Sequence, residues 1–206
     1  TYASMEAAAA GHVNAALLLG GNLFASNPDR DWAGAALRSI PLTVAITTKL
    51  NEGHIHGRGR VSVILPALVR DEEAQATTQE SMFSFVRLSE GGTPLVPGQM
   101  RSEVEIIASL AERILPPGRF DWAKLRSHRH LREAMAATVP GYEAVGAIDE
   151  TRHEFRVKDR SFPRHVFPTA TGRARFNATG IVPFVPPEGH FWLMTLRSEG
   201  QFNTVV

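Results

Sequence analysis

The chain has 206 residues, of which 43% are hydrophobic and 21% are charged, and its formal net charge at pH 7 is +1. A nearly neutral chain has no field that would attract nucleic acid, so we expect no nucleic-acid partner. No cysteine is present, which excludes disulfides, thiolate nucleophiles and Cys-ligated metal clusters built from this chain. The apolar runs are too short for a membrane span and no signal-peptide pattern is visible, so we expect a soluble, cytoplasmic protein.

The first part of the chain alternates between helix and strand patterns. Short apolar runs, typical of buried strands, are separated by segments of good helix formers. Ser26 or Asn27 is placed to cap the second helix, and Pro28 suits its first turn. The alternation predicts an α/β fold, a doubly wound, Rossmann-like parallel sheet with helices on both faces. The predicted elements are helices over 2–10, 101–115 and 121–138, a helix with Trp32, Ala35, Ala36 and Ile40 on one face, and strands over 14–19, 42–47 and 61–66.

The pattern changes after Pro140. Helical periodicity gives way to recurrent prolines and to short extended runs at residues 153–157, 173–177 and 191–196. We therefore expect an α/β domain over 1–140, a connector with short β segments over 141–189, and the start of a second, truncated domain over 190–206. The chain begins at Thr1 without a start methionine and ends within a predicted strand, so we expect it to be a fragment of a longer protein.

A glycine pair follows the first predicted strand, in the sequence ALLLGGNLFASNPD. At the carboxyl end of a parallel strand, Gly20 and Gly21 let the backbone approach an anion, and Asn22 offers an amide to phosphate or sugar oxygens. The same residues also suit a strand-to-helix turn that binds nothing. The G-x-G-x-x-G fingerprint and the G-x-x-x-x-G-K-[ST] loop are both absent, which disfavours a nicotinamide site and an ATPase.

Polar residues follow the second predicted strand, at the same edge of the sheet. Thr47, Thr48, Lys49 and Asn51 supply hydroxyls, an ammonium and an amide that suit a ribose or a phosphate. A polar loop that only ends the strand is the alternative interpretation.

Histidines occur in two further places. His54 and His56 have no third ligand nearby in sequence, so they are weak evidence for a metal. A later basic stretch spreads around a helix, which indicates a solvated face; it comprises Arg126, His128, Arg129, His130 and Arg132. No Gly-x-Ser-x-Gly motif or triad is evident, so we assign no catalytic residue and no metal ligand.

Five segments occur in a fixed order: EAAAAGHVNAALLLGGNLFASNPD, LTVAITTKLNEGHIHGRGRVSVILPAL, TTQESMFSFVRLSEGG with the following RSEVEIIASLA, FPTATGRARFNA, and FWLMTLRSEGQFNTVV. They resemble successive parts of the molybdopterin-dependent oxidoreductases, which include formate dehydrogenases, periplasmic nitrate reductases and dimethyl sulfoxide reductase. The first resembles the family's helix, strand and G-x-N turn, and the second its next two strands. The others resemble its Glu-Ser loop and helix, its T-x-[ST]-G-[KR]-A-x-F connector, and the opening of its C-terminal barrel. The formate-dehydrogenase-like alpha subunits are the most similar branch.

The resemblance implies which residues bind a cofactor. Residues 1–140 would form a domain that binds one guanine-dinucleotide arm of a bis(molybdopterin guanine dinucleotide) cofactor with molybdenum, and 190–206 would begin a β-barrel. Gly20, Gly21 and Asn22 would lie against the dinucleotide phosphates. The other implied contacts are Thr47, Thr48, Lys49 and Asn51 near the guanosine, and Arg197, Ser198, Asn203 and Thr204 in a barrel loop facing the pterin.

Two departures from the family's pattern concern the guanosine. Many members place an Asp near the end of the second strand to pair with guanine, where this chain has Ala45-Ile46-Thr47-Thr48. The usual Thr-Glu-Thr-Ala after that strand is replaced by a longer loop that contains His54 and His56.

The resemblance implies a fragment of a formate-dehydrogenase-like subunit that supplies part of the cofactor cradle and has no turnover alone. In the parent enzyme the metal and dithiolenes would carry the redox chemistry on a small substrate such as formate. An iron–sulfur cluster would lie outside the fragment, and the partners would be the cofactor and the missing domains of the same chain. Two alternatives stay open: a non-catalytic nucleotide-binding or protein-interaction α/β module, and a hydrolase with a metal on His54 and His56.

Overall fold

The computed structural model describes residues 2–96, 98–158, 167–181, 183 and 185–193. Its first part contains a parallel sheet of β1 (Ala15–Leu19), β2 (Leu42–Thr47) and β3 (Val61–Pro66), in that spatial order. The register pairs Leu19 with Ile46 and Ile46 with Leu65, so the three strands end at one edge, called here the carboxyl rim. The predicted α/β fold with a parallel sheet is confirmed, and β2 and β3 have the predicted bounds.

Helices cover both faces of this sheet, as predicted. On one face, α1 (Tyr2–Ala9) and α2 (Arg30–Ser39) pack together, with Met5, Leu37 and Ile40 in a buried core. The short helix α3 (Gly53–His56) lies in the connection between β2 and β3. On the other face, α4 (Glu103–Ile114) buries Ile106 against Ile46 and Leu65.

The apolar strand β1 is less buried than its sequence predicts. It is an edge strand, and α4 contacts the neighbouring strands rather than β1. Leu17 and Leu19 are therefore about half exposed, at 50% and 52%. Val61 and Val63 of β3 point to the same face and are also exposed, so these four residues form what we call the sheet patch.

The predicted start of α2 at Ser26 or Asn27 is wrong. Asp29 is the N-cap, and its carboxylate accepts the Trp32 N–H at 2.9 Å. Residues 22–27 instead form a turn of their own, in which the Asn22 carbonyl accepts the Ser26 N–H at 3.0 Å. Ser26 and Asn27, the predicted caps, belong to this turn, so α2 begins later in the chain.

A second sheet contains β4 (Thr77–Glu80), β5 (Phe85–Ser89) and β6 (Phe155–Arg156), all antiparallel. It packs against α5 (His128–Thr138) and α6 (Ile148–Thr151) around Val86, Val145 and Ile148. The segment just after Pro140 is thus helical, with a 3-10 helix at Glu143–Ala147 before α6. Helices this short lack a visible periodicity, which is why their sequence pattern did not predict them.

The later part of the chain has little regular structure in its described residues. The extended run predicted at 173–177 forms no strand there, and Thr169 and Gly172 form a turn with a 3.0 Å backbone hydrogen bond. The extended run predicted at 191–196 lies partly outside the described residues, and the strand predicted at the end of the chain lies wholly outside them. The domain bounds stay predictions. No helix in the described ranges combines the length and apolar character needed to cross a membrane.

Candidate functional site

The residues after β1 form a turn at the carboxyl rim, called here the glycine turn (Gly20–Asn22). The Gly20 N–H donates to the Ile46 carbonyl at 2.8 Å, which continues the pairing of β1 with β2. Gly20 and Gly21 have φ of +61° and +67°, a conformation that residues with a Cβ adopt only at a steric cost. A Cβ built on either glycine meets no atom within 4 Å. The space over the turn is therefore open with respect to the described residues.

Two backbone donors of the glycine turn are unused. Within the described part of the chain, neither the Gly21 N–H nor the Asn22 N–H has a protein acceptor. Successive free N–H groups in a turn form a concave donor set of the kind that binds anions. The Asn22 side chain has a different role, because it is buried and its Oδ1 accepts the Ala25 N–H at 3.0 Å. The donors that the turn offers to a ligand are backbone groups.

Asn51 connects the loop after β2 to the glycine turn. Its Nδ2 donates to the Gly21 carbonyl at 3.1 Å, and its Oδ1 accepts the Gly53 N–H at 2.9 Å. The Asn51 N–H donates to Nδ1 of His54 at 2.9 Å, so one ring nitrogen of His54 is already engaged. No group of three potential metal ligands is found among the residues that the structure describes, and His54 and His56 have no third ligand there.

The threonines and the lysine that follow β2 differ in orientation. Thr47 is buried, and its hydroxyl donates to the Lys49 carbonyl at 2.8 Å, so it closes the loop. Thr48 and Lys49 are exposed at the rim. The structure thus brings Gly20, Gly21, Asn51, Thr48 and Lys49 to one edge of the sheet. Arg197, Ser198, Asn203 and Thr204 lie outside the described residues.

An apolar cavity of about 550 Å³ lies between the glycine turn and the helices on that face. Gly20, Gly21 and Asn22 line its rim side, and Met5, Phe24 and Leu37 line its interior, together with Ala45, Asn51 and His54. The N-terminus of α2 contributes little to anion binding, because Asp29 caps it and Asp31 follows in the first turn.

A second cavity, of about 390 Å³, opens where β2 and β3 end; we call it the rim cavity. Thr48 and Leu68 follow those strands and line it, and Ser102 at the start of α4 and His128 at the start of α5 close it. Glu73 and Thr77 line it from the segment before and at the start of β4.

The sequence analysis missed the residues of the rim cavity. The predicted solvated face is wrong for His128 and Arg132, which are only 6% and 4% exposed. Their spacing carries a signal, since His128 and Arg132 stand four apart and continue the helical stripe of Met135 and Val139, which pack on the core. A helix face that mixes basic and apolar residues at this spacing is consistent with burial as well as with solvation.

No protein-family profile matches the chain. The chain is 36% identical over 221 aligned positions to an uncharacterized oxidoreductase of Mycobacterium tuberculosis, and to its counterpart in Mycobacterium bovis, with all of this chain covered. It is 30% identical over 216 positions to the protein YdeP of Escherichia coli K12, with 99% of this chain covered. The chain spans about a quarter of the length of these relatives, 27% and 28% respectively. The comparison supports a relationship to oxidoreductases in general.

Proposed function

We propose that this chain supplies part of the nucleotide cradle of a molybdopterin-dependent oxidoreductase of the formate-dehydrogenase-like type. The observation that carries the proposal is the glycine turn at the carboxyl rim. Its Gly21 and Asn22 N–H groups have no acceptor among the described residues, and a Cβ built on Gly20 or Gly21 meets open space. Ligands of open α/β sheets bind beyond the carboxyl ends of the strands. The oxidoreductase names of the mycobacterial relatives add independent support.

The residues of the glycine turn fit a phosphate group. Gly20 and Gly21 present no side chain, and the N–H groups of Gly21 and Asn22 are the donors that would hold phosphate oxygens. Lys49 adds a cation from the loop after β2. The strands β1 and β2 are neighbours in the sheet, and neighbouring strands lie roughly 5 Å apart. These residues would bind and orient the nucleotide arm of bis(molybdopterin guanine dinucleotide).

When bound, that cofactor would supply the redox chemistry through its molybdenum and dithiolenes. We assign no redox role to any residue of this chain. A small substrate such as formate and an iron–sulfur cluster, held by other parts of the protein, belong to the same proposal.

The test is the cofactor content of the protein produced from its complete gene. We expect the purified protein to release molybdenum and GMP on acid treatment. Gly21→Ala adds a Cβ at φ +67°, which costs about 1–2 kcal/mol in the turn and places a methyl where the phosphate would bind, so the content should fall about tenfold. Inductively coupled plasma mass spectrometry and nucleotide chromatography measure both products.

Gly11→Ala is the matched control. Gly11 also has a positive φ, +76°, and open space around its built Cβ, but it follows α1 away from the carboxyl rim. This variant should lose similar stability and keep its molybdenum and GMP. Wild-type protein free of both would contradict the proposed function, and a Gly21→Ala protein with full content would contradict the site.

A further inference from the structure

The rim cavity contains buried polar atoms that have no hydrogen-bond partner within the described residues. They are Oε2 of Glu73, Nε2 of His128 and Oγ1 of Thr77. The Glu73 and His128 side chains are only 9% and 7% exposed, and the two orphaned atoms lie 3.9 Å apart. Native folds satisfy nearly all buried polar atoms, so such a pair indicates a partner that the described residues do not supply.

The protein holds this pair in place through Gln75. Glu73 Oε1 accepts the Gln75 N–H at 3.1 Å, and Gln75 Oε1 accepts the His128 N–H at 2.9 Å. The Gln75 side-chain amide also donates to the Arg126 carbonyl at 3.1 Å. Glu73 and His128 are therefore positioned by fixed contacts that leave the facing atoms free.

The hydrogen bonds of His128 define what the cavity can accept. Its Nδ1 lies 3.2 Å from the Ala76 carbonyl, and because a carbonyl only accepts, Nδ1 carries the proton. In the neutral ring Nε2 is then an acceptor, as is Glu73 Oε2. Two acceptors 3.9 Å apart fit one nitrogen with two N–H groups, at about 2.9 Å from each.

We propose that Glu73 and His128 recognise the 2-amino group of an aminopyrimidinone ring, the donor edge that guanine and pterins share. The inference rests on the proposed function, which brings a ligand with both rings to this rim. No carboxylate stands at the end of β2, where Thr47 and Thr48 lie, and Glu52 later in that loop pairs with Arg30, so Glu73 supplies the acceptor from the segment after β3. The β3 end of the rim lies two strand spacings, about 10 Å, from the glycine turn, which a nucleotide can span.

The proposal is tested with cofactor-free protein produced from its complete gene in a host that cannot make the pterin cofactor. Calorimetric titration compares GMP with IMP, which lacks the 2-amino group, and with biopterin. Wild-type protein should bind GMP about tenfold more tightly than IMP, because a site built for N–H donors rejects a ligand that lacks them.

Two variants remove the acceptors with little change in shape. Glu73→Gln keeps an oxygen for the Gln75 N–H but turns an amide N–H₂ toward the ligand, and His128→Asn keeps a donor for the Ala76 carbonyl but lacks Nε2. Both should bring the GMP-to-IMP ratio close to one. Glu150→Gln removes an exposed carboxylate outside the rim cavity, so it is the control and should leave the ratio unchanged.

Each result decides the proposal. A tenfold GMP-to-IMP ratio in the wild-type protein, lost in Glu73→Gln, supports the proposal and assigns guanine. A wild-type ratio near one, with biopterin binding that is lost in Glu73→Gln, supports the proposal and assigns the pterin. Two outcomes overturn the proposal. One is equal affinities for GMP and IMP together with a biopterin affinity that Glu73→Gln does not change, and the other is no binding of any probe. The wild-type GMP-to-IMP ratio needs no variant, so it remains decisive for guanine if a variant fails to fold, and His128→Asn replaces Glu73→Gln in the biopterin comparison if only Glu73→Gln fails to fold.

Gly21→Ala separates this inference from the proposed function. If phosphate binds at the glycine turn, this variant weakens GMP and IMP equally and leaves their ratio unchanged. If the wild-type protein shows the tenfold GMP-to-IMP ratio but Gly21→Ala does not weaken either nucleotide, the phosphate assignment alone is overturned. The base assignment alone would be overturned if the GMP-to-IMP ratio were one, Gly21→Ala still weakened both nucleotides, and Glu73→Gln left the biopterin affinity unchanged.

Discussion

Gly53 packs directly behind the glycine turn. A Cβ at this position would lie 2.4 Å from Asn22 Oδ1 and 2.9 Å from Asn51 Oδ1, so both side chains would have to move. Asn22 would then lose the hydrogen bond to the Ala25 N–H, worth about 1 kcal/mol. We expect Gly53→Ala to loosen the turn and to weaken GMP binding severalfold, with faster hydrogen exchange in peptides that contain Ala25.

The global stability of Gly53→Ala should change much less than its binding. Alanine gains up to about 1 kcal/mol over glycine in a helix, which offsets the lost hydrogen bond. Gly98→Ala, where a built Cβ meets no atom within 4 Å, is the control and should alter neither exchange nor binding. Unchanged exchange near Ala25 in Gly53→Ala would show that Gly53 does not support the turn.

Single residues show how far the sequence predicts the candidate site. The position of Gly20 and Gly21 at the carboxyl rim follows from an apolar run that ends in two glycines. The inward orientation of Asn22 and Thr47 does not follow, because it depends on the Ala25 N–H and the Lys49 carbonyl that each side chain contacts. Residue type and order identify the edge of the sheet, whereas local hydrogen bonds within each loop decide which side chains remain available there.

The contact of α5 with α6 and β4 depends on one buried arginine. Arg132 is 4% exposed, and its Nε donates to Asp149 at 2.8 Å while Nη1 donates to the Ala76 carbonyl at 2.8 Å. Without the Arg132 guanidinium, the Asp149 carboxylate and the Ala76 carbonyl lose a hydrogen-bond donor at a site that water hydrates poorly. We expect Arg132→Met to lower the free energy of unfolding by about 3–5 kcal/mol in urea titrations.

The same helix supplies a control for this prediction. Arg129 also forms ion pairs, with Glu133 and Glu150, but its side chain is 53% exposed. Arg129→Met should therefore cost at most about 1 kcal/mol. Equal losses in the two variants would mean that burial does not distinguish the ion pairs.

Elements differ in how well their sequences predict them. The strands β2 and β3 are apolar runs between turn residues, and their predicted bounds are correct. The predicted helix over 121–138 is correct only from His128, because Ser127 caps α5 and a 3-10 helix at Lys124–Arg126 precedes it. The strand β4 is the polar sequence TTQE, which has no alternating pattern and pairs because β5 lies beside it.

At the scale of the whole molecule, the distribution of apolar surface is what the sequence predicts least well. Periodicity indicates that β1 and β3 are apolar, but the burial of their side chains depends on which helix lies above them. In the described structure α4 contacts Ile46 and Leu65 near the carboxyl rim, and the sheet patch stays exposed. Contiguous exposed apolar surface promotes association in water.

We therefore expect the 206-residue chain to self-associate through the sheet patch. Leu17→Thr combined with Leu19→Thr keeps side chains that favour strands and removes apolar surface from residues that are already half exposed. Sedimentation velocity should show concentration-dependent association of the unchanged chain and a shift toward monomer in the double variant. Leu95→Thr, at a leucine that is 86% exposed outside the sheet, should associate like the unchanged chain. Association that persists in the double variant would place the contact on another surface, since a sheet interface of this kind requires the two leucines that β1 presents.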